Sequence, residues 1–208
     1  FKKVTVLPDG KNHGLVFILD WSGSMSREML DTVKQLYNLI WFCKKVSIPF
    51  DVYAFTNEWK RREQDPTGQW NAKDNELPYE VQEYNLRVEE DFSLMNILTS
   101  KVRTNELEHQ LKNIWRIASV FYNTYGSRYS YPTRLCLSGT PLNEALITLH
   151  KLLPKFQKEN NVEKVQCIVL TDGEANSMPY HVEVKDYFNS DEYKMGLRGI
   201  NPNHCSLR

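Results

Sequence analysis

The sequence predicts an α/β fold built on a mainly parallel sheet, and two apolar segments carry this prediction. Residues 15–19 are five consecutive apolar residues, as expected of a central strand covered on both faces. Residues 165–170 form a second apolar strand pattern late in the chain. A further strand pattern at 50–55 follows the first strand after a helical pattern, so these elements predict a right-handed crossover between parallel strands.

Apolar residues that recur at intervals of three and four predict three helices. They cover about 27–45, about 105–122 and 142–153, and Pro141 occupies the favoured first position of the last one. Elsewhere between 58 and 134 the regular alternation lapses, and charged clusters predict a solvated face or a surface that docks a partner. We therefore expect a single domain, 1–208, with an insertion at about 58–134.

The two ends of the chain are less regular. Residues 2–7 predict a short strand that could pair with residues 15–19 as a hairpin. Residues 180–194 have the pattern of a weak helix or strand, and the residues from 199 onward read as a loop. This weak pattern leads us to expect that the C-terminal part of the fold is incomplete. The chain also begins without Met, so we expect a fragment.

The first strand opens into a polar loop whose oxygens suit a hard cation. Asp20, Ser22 and Ser24 alternate, so an extended loop can point all three side chains the same way, and Gly23 permits a tight turn. Mg²⁺ takes six oxygen ligands and usually keeps several waters, so this set would form part of a site. The alternative is that Asp20 caps the following helix and that the serines are ordinary turn residues.

Two later segments place polar residues at similar positions. Thr140 precedes the third predicted helix, and Asp172 follows the strand at 165–170 as Asp20 follows the first strand. In open α/β sheets, ligands bind in the crevice at the carboxyl ends of the strands. The sequence therefore favours one site that contains both carboxylates.

These residues, in this order, resemble the metal-ion-dependent adhesion site of von Willebrand factor A (VWA) domains. The resemblance is carried by Asp20-x-Ser22-x-Ser24, by Thr140 in Gly-Thr-Pro-Leu and by Asp172 in Thr-Asp-Gly-Glu. It implies a Rossmann-like sheet with helices on both faces and a Mg²⁺ ion, which Mn²⁺ could replace, on its upper edge. It also implies that Ser22 and Ser24 bind the ion directly, and that Thr140, Asp20 and Asp172 bind it directly or through water.

The same resemblance implies how such a domain works. A partner protein supplies an Asp or Glu that completes the coordination of the ion, and no residue of the domain is catalytic. Gly23, Gly139, Gly173 and Glu174 flank the ligands and are candidates for supporting the ion or contacting the partner.

A closer likeness is to the C-terminal domain of the cobaltochelatase T subunit and to the magnesium-chelatase D subunit. It is carried by residues 20–25, Asp-Trp-Ser-Gly-Ser-Met, and by residues 51–60, where a strand ends in Phe-Thr and a Trp follows. It implies a non-catalytic subunit that works with a ring-forming AAA+ ATPase in metal insertion into a tetrapyrrole, as in cobalamin biosynthesis. The alternatives are a VWA module for adhesion or assembly and, from another class, a metal-dependent hydrolase.

Net charge and cysteine content indicate which partners and which cellular compartment to expect. The formal net charge is zero, with 26 basic and 26 acidic residues, so neither nucleic acid nor a membrane surface is an expected partner. Four cysteines, Cys43, Cys136, Cys167 and Cys205, are scattered without zinc spacing. We expect buried free thiols in a reducing compartment, the cytoplasm, and the alternative is a single disulfide.

Overall fold

A four-stranded sheet organises the chain. The computed structural model describes residues 13–58, 80–88, 91–122, 130–173, 175–185 and 193–198. The strands are β1 (His13–Asp20), β2 (Phe50–Asn57), β3 (Phe92–Thr99) and β4 (Lys164–Leu170), and their order across the sheet is β3-β2-β1-β4. β1 pairs in parallel with both β2 and β4, whereas β3 pairs antiparallel with β2. The expected α/β fold with a mainly parallel sheet is confirmed.

Three helices cover the two faces of this sheet. They are α1 (Met29–Lys45), α2 (Thr104–Tyr122) and α3 (Leu142–Asn160). α1 and α2 pack on the face to which β1 presents Leu15, Phe17 and Leu19, and α3 packs on the face of Val16 and Ile18. Burial on both faces explains why β1 lacks the polar alternation of a half-exposed strand.

All three predicted helices are present, with small changes at their ends. α1 begins at Met29, two residues later than expected, because Ser24–Ser26 forms a short 3₁₀ turn before it. Pro141 is the N-cap residue of α3 and not its first helical residue. No helix in the described part of the chain is both long and apolar enough to cross a membrane.

Part of the segment that we expected to be an insertion belongs to the main fold. β3 forms one edge of the sheet, and the buried side of α2 joins the same apolar cluster as α1. The part of this segment at 59–79 lies outside the described residues, as do residues 89–90 and 123–129.

The C-terminal region forms a separate hairpin. β5 (Tyr180–Lys185) and β6 (Tyr193–Arg198) pair antiparallel, and Leu86 bridges to Tyr180 on the other side of β5. Within the described residues, no strand extends the main sheet beyond β4. The expected strand at 2–7 and the loop from 199 onward lie outside the described residues.

Candidate metal site

The polar ends of β1 and β4 meet at the point where the chain changes direction across the sheet. From β1 the chain runs to β2 and β3 with α1 and α2 on one face, and it then returns through α3 on the other face to β4, beside β1. Such a switch point opens a crevice outside the carboxyl ends of the strands. Asp20 ends β1 there, and Asp172 follows β4 by two residues.

Asp20 is a fully buried carboxylate at the bottom of this crevice. Its Oδ1 accepts a hydrogen bond from the Ser22 backbone N–H at 3.0 Å, and its Oδ2 accepts one from the Thr171 hydroxyl at 2.6 Å. No side-chain hydrogen bond caps either the 3₁₀ turn or α1, so Asp20 is not a helix cap. No basic side chain among the described residues forms an ion pair with it.

The side-chain oxygens of Ser22, Ser24 and Asp172 form a chain of hydrogen bonds that runs from the buried Ser22 to the exposed Asp172. The Ser22 and Ser24 hydroxyl oxygens are 3.0 Å apart, and the Ser24 hydroxyl donates to Asp172 Oδ1 at 3.1 Å. Ser22 is buried, whereas Ser24 and Asp172 are exposed. Neighbouring ligands of an octahedral Mg²⁺ ion stand about 2.9 Å apart when each oxygen is about 2.05 Å from the ion. The observed separations therefore fit edges of such an octahedron.

Thr140 lies two residues after Ser138, the residue that pairs with the loop of this cluster. Ser138 bridges to Ser22, and its carbonyl accepts the Gly23 N–H at 2.7 Å, which joins the two loops. Two residues further on, the carbonyl of Thr140 accepts the Asn176 N–H at 3.0 Å. The structure thus brings together the segments that carry all five predicted ligands. The side chains of Ser22, Ser24 and Asp172 form one hydrogen-bonded set, and the Asp20 carboxylate is bonded to the Ser22 backbone.

The three glycines of the motif have different roles. Gly23 precedes the tight 3₁₀ turn Ser24–Ser26, but it has ordinary right-handed helical backbone angles, φ −62° and ψ −34°, so this turn does not depend on the conformational freedom of glycine. A side chain at Gly139 would collide with Asn57 Oδ1, whereas one at Gly173 would meet nothing within 4 Å. Of the three, only Gly139 lies where a side chain would force a neighbour, Asn57, to move. Glu174 lies outside the described residues.

Two supporting residues were not singled out from the sequence. Thr171 holds Asp20 in place, although the two residues are separated by 151 positions. Trp21 is 1% exposed, and its indole N–H donates to the Leu135 carbonyl at 2.9 Å. Its ring contacts the edge of Phe121, with centroids 5.7 Å apart. The signal for Trp21 was its position between Asp20 and Ser22, which turns it to the opposite side, into the core.

The donor set determines which kind of ion the cluster fits. In the described ranges, no group of three or more histidine, cysteine, aspartate and glutamate side chains is arranged to hold a metal ion. The cluster contains two carboxylates and takes its other side-chain oxygens from hydroxyls. Oxygen donors of this kind suit Mg²⁺ or Mn²⁺, and not the sulfur- and nitrogen-bound metals.

The described cysteines do not form part of the site. Cys43, Cys136 and Cys167 are free thiols, as expected, but of these only Cys43 is buried, and the other two are partly exposed. Burial raises the pKa of the Cys43 thiol and that of Cys167. Cys205 lies outside the described residues.

Comparison of the chain with protein-family models, with curated proteins and with solved structures found no match.

Proposed function

We propose that the chain is a Mg²⁺-dependent protein-binding module of the VWA type. The observation that carries this proposal is the environment of Asp20, a fully buried carboxylate whose hydrogen-bond donors are both neutral. Burial of a carboxylate away from positive charge is unfavourable. A cation bound by the adjacent hydroxyls and by Asp172 would compensate for this cost.

Some residues of the cluster would bind the ion, and the exposure of others would keep one side of the ion open to a partner. Ser22, Ser24, Thr140, Asp20 and Asp172 would hold the ion, which would supply positive charge for a carboxylate of the partner. The exposure of Ser24 and Asp172 leaves the outer side of the cluster open to a partner's Asp or Glu. Asp20 stays buried, and the exposed Thr171 donates the hydrogen bond that helps to hold its carboxylate.

We also propose the kind of complex in which this module works. The likeness of residues 20–25 and 51–60 to chelatase subunits supports a non-catalytic subunit that works in the cytoplasm with a ring-forming AAA+ ATPase. The collective activity would then be metal insertion into a tetrapyrrole. Ser24 and Asp172 are exposed at the carboxyl edge of the sheet, where a large partner can reach them.

The experiment is an affinity capture from lysate of the native host, run in Mg²⁺ and in EDTA. The wild-type chain is compared with Asp172→Ala, and with Asp31→Ala as a control on an exposed part of α1. We expect an AAA+ ATPase to be recovered by the wild type and by the control in Mg²⁺ only. Recovery of the same partners in EDTA, or by the Asp172 variant, would contradict a metal-bridged contact. Turnover of phosphoesters dependent on Asp20 and Asp172 would instead favour the hydrolase.

A further inference from the structure

A polar cleft opens beside the candidate metal site. Its volume is about 350 Å³, close to the lower limit of about 300 Å³ for small-ligand pockets. The cleft lies between the end of β2, the start of β3 and the loop before α3. The polar residues that line it are Asn57, Asp91, Ser138, Glu144, Asn176 and Ser177.

The cleft is acidic and rich in hydrogen-bond acceptors. Two of its lining residues, Asp91 and Glu144, carry carboxyl groups, and none of the described lining residues is basic. The Asn57 amide donates to Asp91 Oδ1 at 2.9 Å, and an ionised carboxylate has further acceptor capacity on both of its oxygens. The side-chain oxygen of Asn57 is buried and has no hydrogen-bond partner among the described residues.

Two contacts of the Asn57 side chain set where this oxygen points. Its Oδ1 lies against Gly139 so closely that a side chain at position 139 would collide with it. Its amide nitrogen is already held by Asp91. A buried acceptor with no donor is unfavourable, so a ligand whose donors reach this oxygen after a small movement of the residues that cover it would offset the cost.

The cleft and the candidate metal site share one loop. Ser138 and Gly139 line the cleft, and Ser138 is also the residue that pairs with Ser22. Thr140, a predicted ligand, lies between cleft residues Gly139 and Pro141. A single extended segment of a partner can therefore reach both places.

We infer that the cleft binds the ammonium of a lysine or the guanidinium of an arginine from the partner segment whose carboxylate reaches the ion. This inference rests on the proposed function, and it adds a second requirement for recognition. Both basic groups carry several donors and no acceptor, which complements the lining of the cleft. The partner motif is then a basic residue and an acidic residue within a few positions of each other.

The experiment measures binding to an array of synthetic hexapeptides in Mg²⁺. Each peptide has one fixed Asp and one position that varies through all residue types. The wild-type chain is compared with Asp91→Asn, which keeps an oxygen that can accept from Asn57, and with Asp31→Asn as the matched control. Ser177→Lys, at an exposed position, provides a second variant that places a competing ammonium at the cleft.

We expect the wild type and the control to prefer peptides with Lys or Arg over those with Gln at the varied position. Asp91→Asn and Ser177→Lys should reduce this preference on the order of tenfold, since hydrogen bonds to charged groups are the stronger ones. Both variants should still require Mg²⁺ and the fixed Asp.

Other results separate the two proposals. If Mg²⁺ and Asp are required but Lys and Arg give no advantage, the inference about the cleft is wrong and the proposed function stands. If a basic preference disappears in Asp91→Asn while Mg²⁺ is not required, the cleft is supported and the metal-bridged function is wrong. A second Mn²⁺ ion per chain, detected by electron paramagnetic resonance and lost in Asp91→Asn, would overturn the inference in favour of a second cation site.

Discussion

Replacing Asp20 with Asn should stabilise the protein in EDTA and remove its response to Mg²⁺. Asn keeps an oxygen that can accept the Ser22 N–H, and its amide can donate to the Thr171 hydroxyl, so both contacts of the wild type have neutral equivalents. The substitution removes a carboxylate that is 0% exposed and has no basic partner among the described residues.

The expected changes are large enough to measure. Without metal, Asp20→Asn should raise the free energy of unfolding by about 1–3 kcal/mol, since a buried unpaired charge is destabilising. With Mg²⁺ at one hundred times its dissociation constant, the wild type should gain about 2.7 kcal/mol. A gain of this size corresponds to about 5–11 °C in Tm for a chain of this length.

The assay is thermal unfolding followed by circular dichroism, in EDTA and in a series of Mg²⁺ concentrations. Ser24→Ala is the companion variant, because loss of an exposed hydroxyl should change stability in EDTA by no more than about 0.5 kcal/mol. It should nevertheless lose most of the Mg²⁺ response. If Asp20→Asn lowers the Tm in EDTA and the wild type shows no Mg²⁺ response, Asp20 is a structural residue and the reasoning is refuted.

Two further predictions concern packing and thiol reactivity. Gly139→Ala should destabilise the protein by about 1–3 kcal/mol, because the new methyl group collides with Asn57. Gly173→Ala should be neutral, because a methyl group there meets nothing within 4 Å. Urea unfolding of the two variants measures both effects, and equal effects would contradict the prediction. At pH 8, Cys43 should react with iodoacetamide far more slowly than Cys136, because Cys43 is buried and burial raises the pKa of its thiol, so less thiolate is present. Peptide mass mapping after timed labelling, with and without urea, measures both rates, and equal rates in the folded protein would count against the packing of α1.

The sequence predicted the elements whose burial is simple. β1 is covered on both faces and is therefore apolar at every position from Leu15 to Leu19, and α1, α2 and α3 each bury one regular stripe. β3 was not predicted, because it is an edge strand in which Ser93 is buried while Asn96 is exposed. Such a strand has no clean alternation, and its place in the sheet depends on pairing with β2.

The candidate site was predictable to the extent that it is local in sequence. Asp20, Ser22 and Ser24 could be predicted because they alternate within one loop. Asp172 could be predicted because it comes two residues after the end of a second apolar strand. Thr171 could not be assigned, because its contact with Asp20 exists only after β1 and β4 have paired. The acidic cleft was missed for the same reason, since its lining comes from separate parts of the chain.

The central claim is that one hard cation binds between the serine hydroxyls and Asp172. Crystals grown or soaked with MnCl₂ test it through anomalous difference maps, with Asp172→Ala as the control. The account predicts a single peak about 2.1 Å from the hydroxyl oxygens of Ser22 and Ser24, absent in the variant. A map without that peak, or with the ion held in the cleft at Asp91 instead, would contradict it.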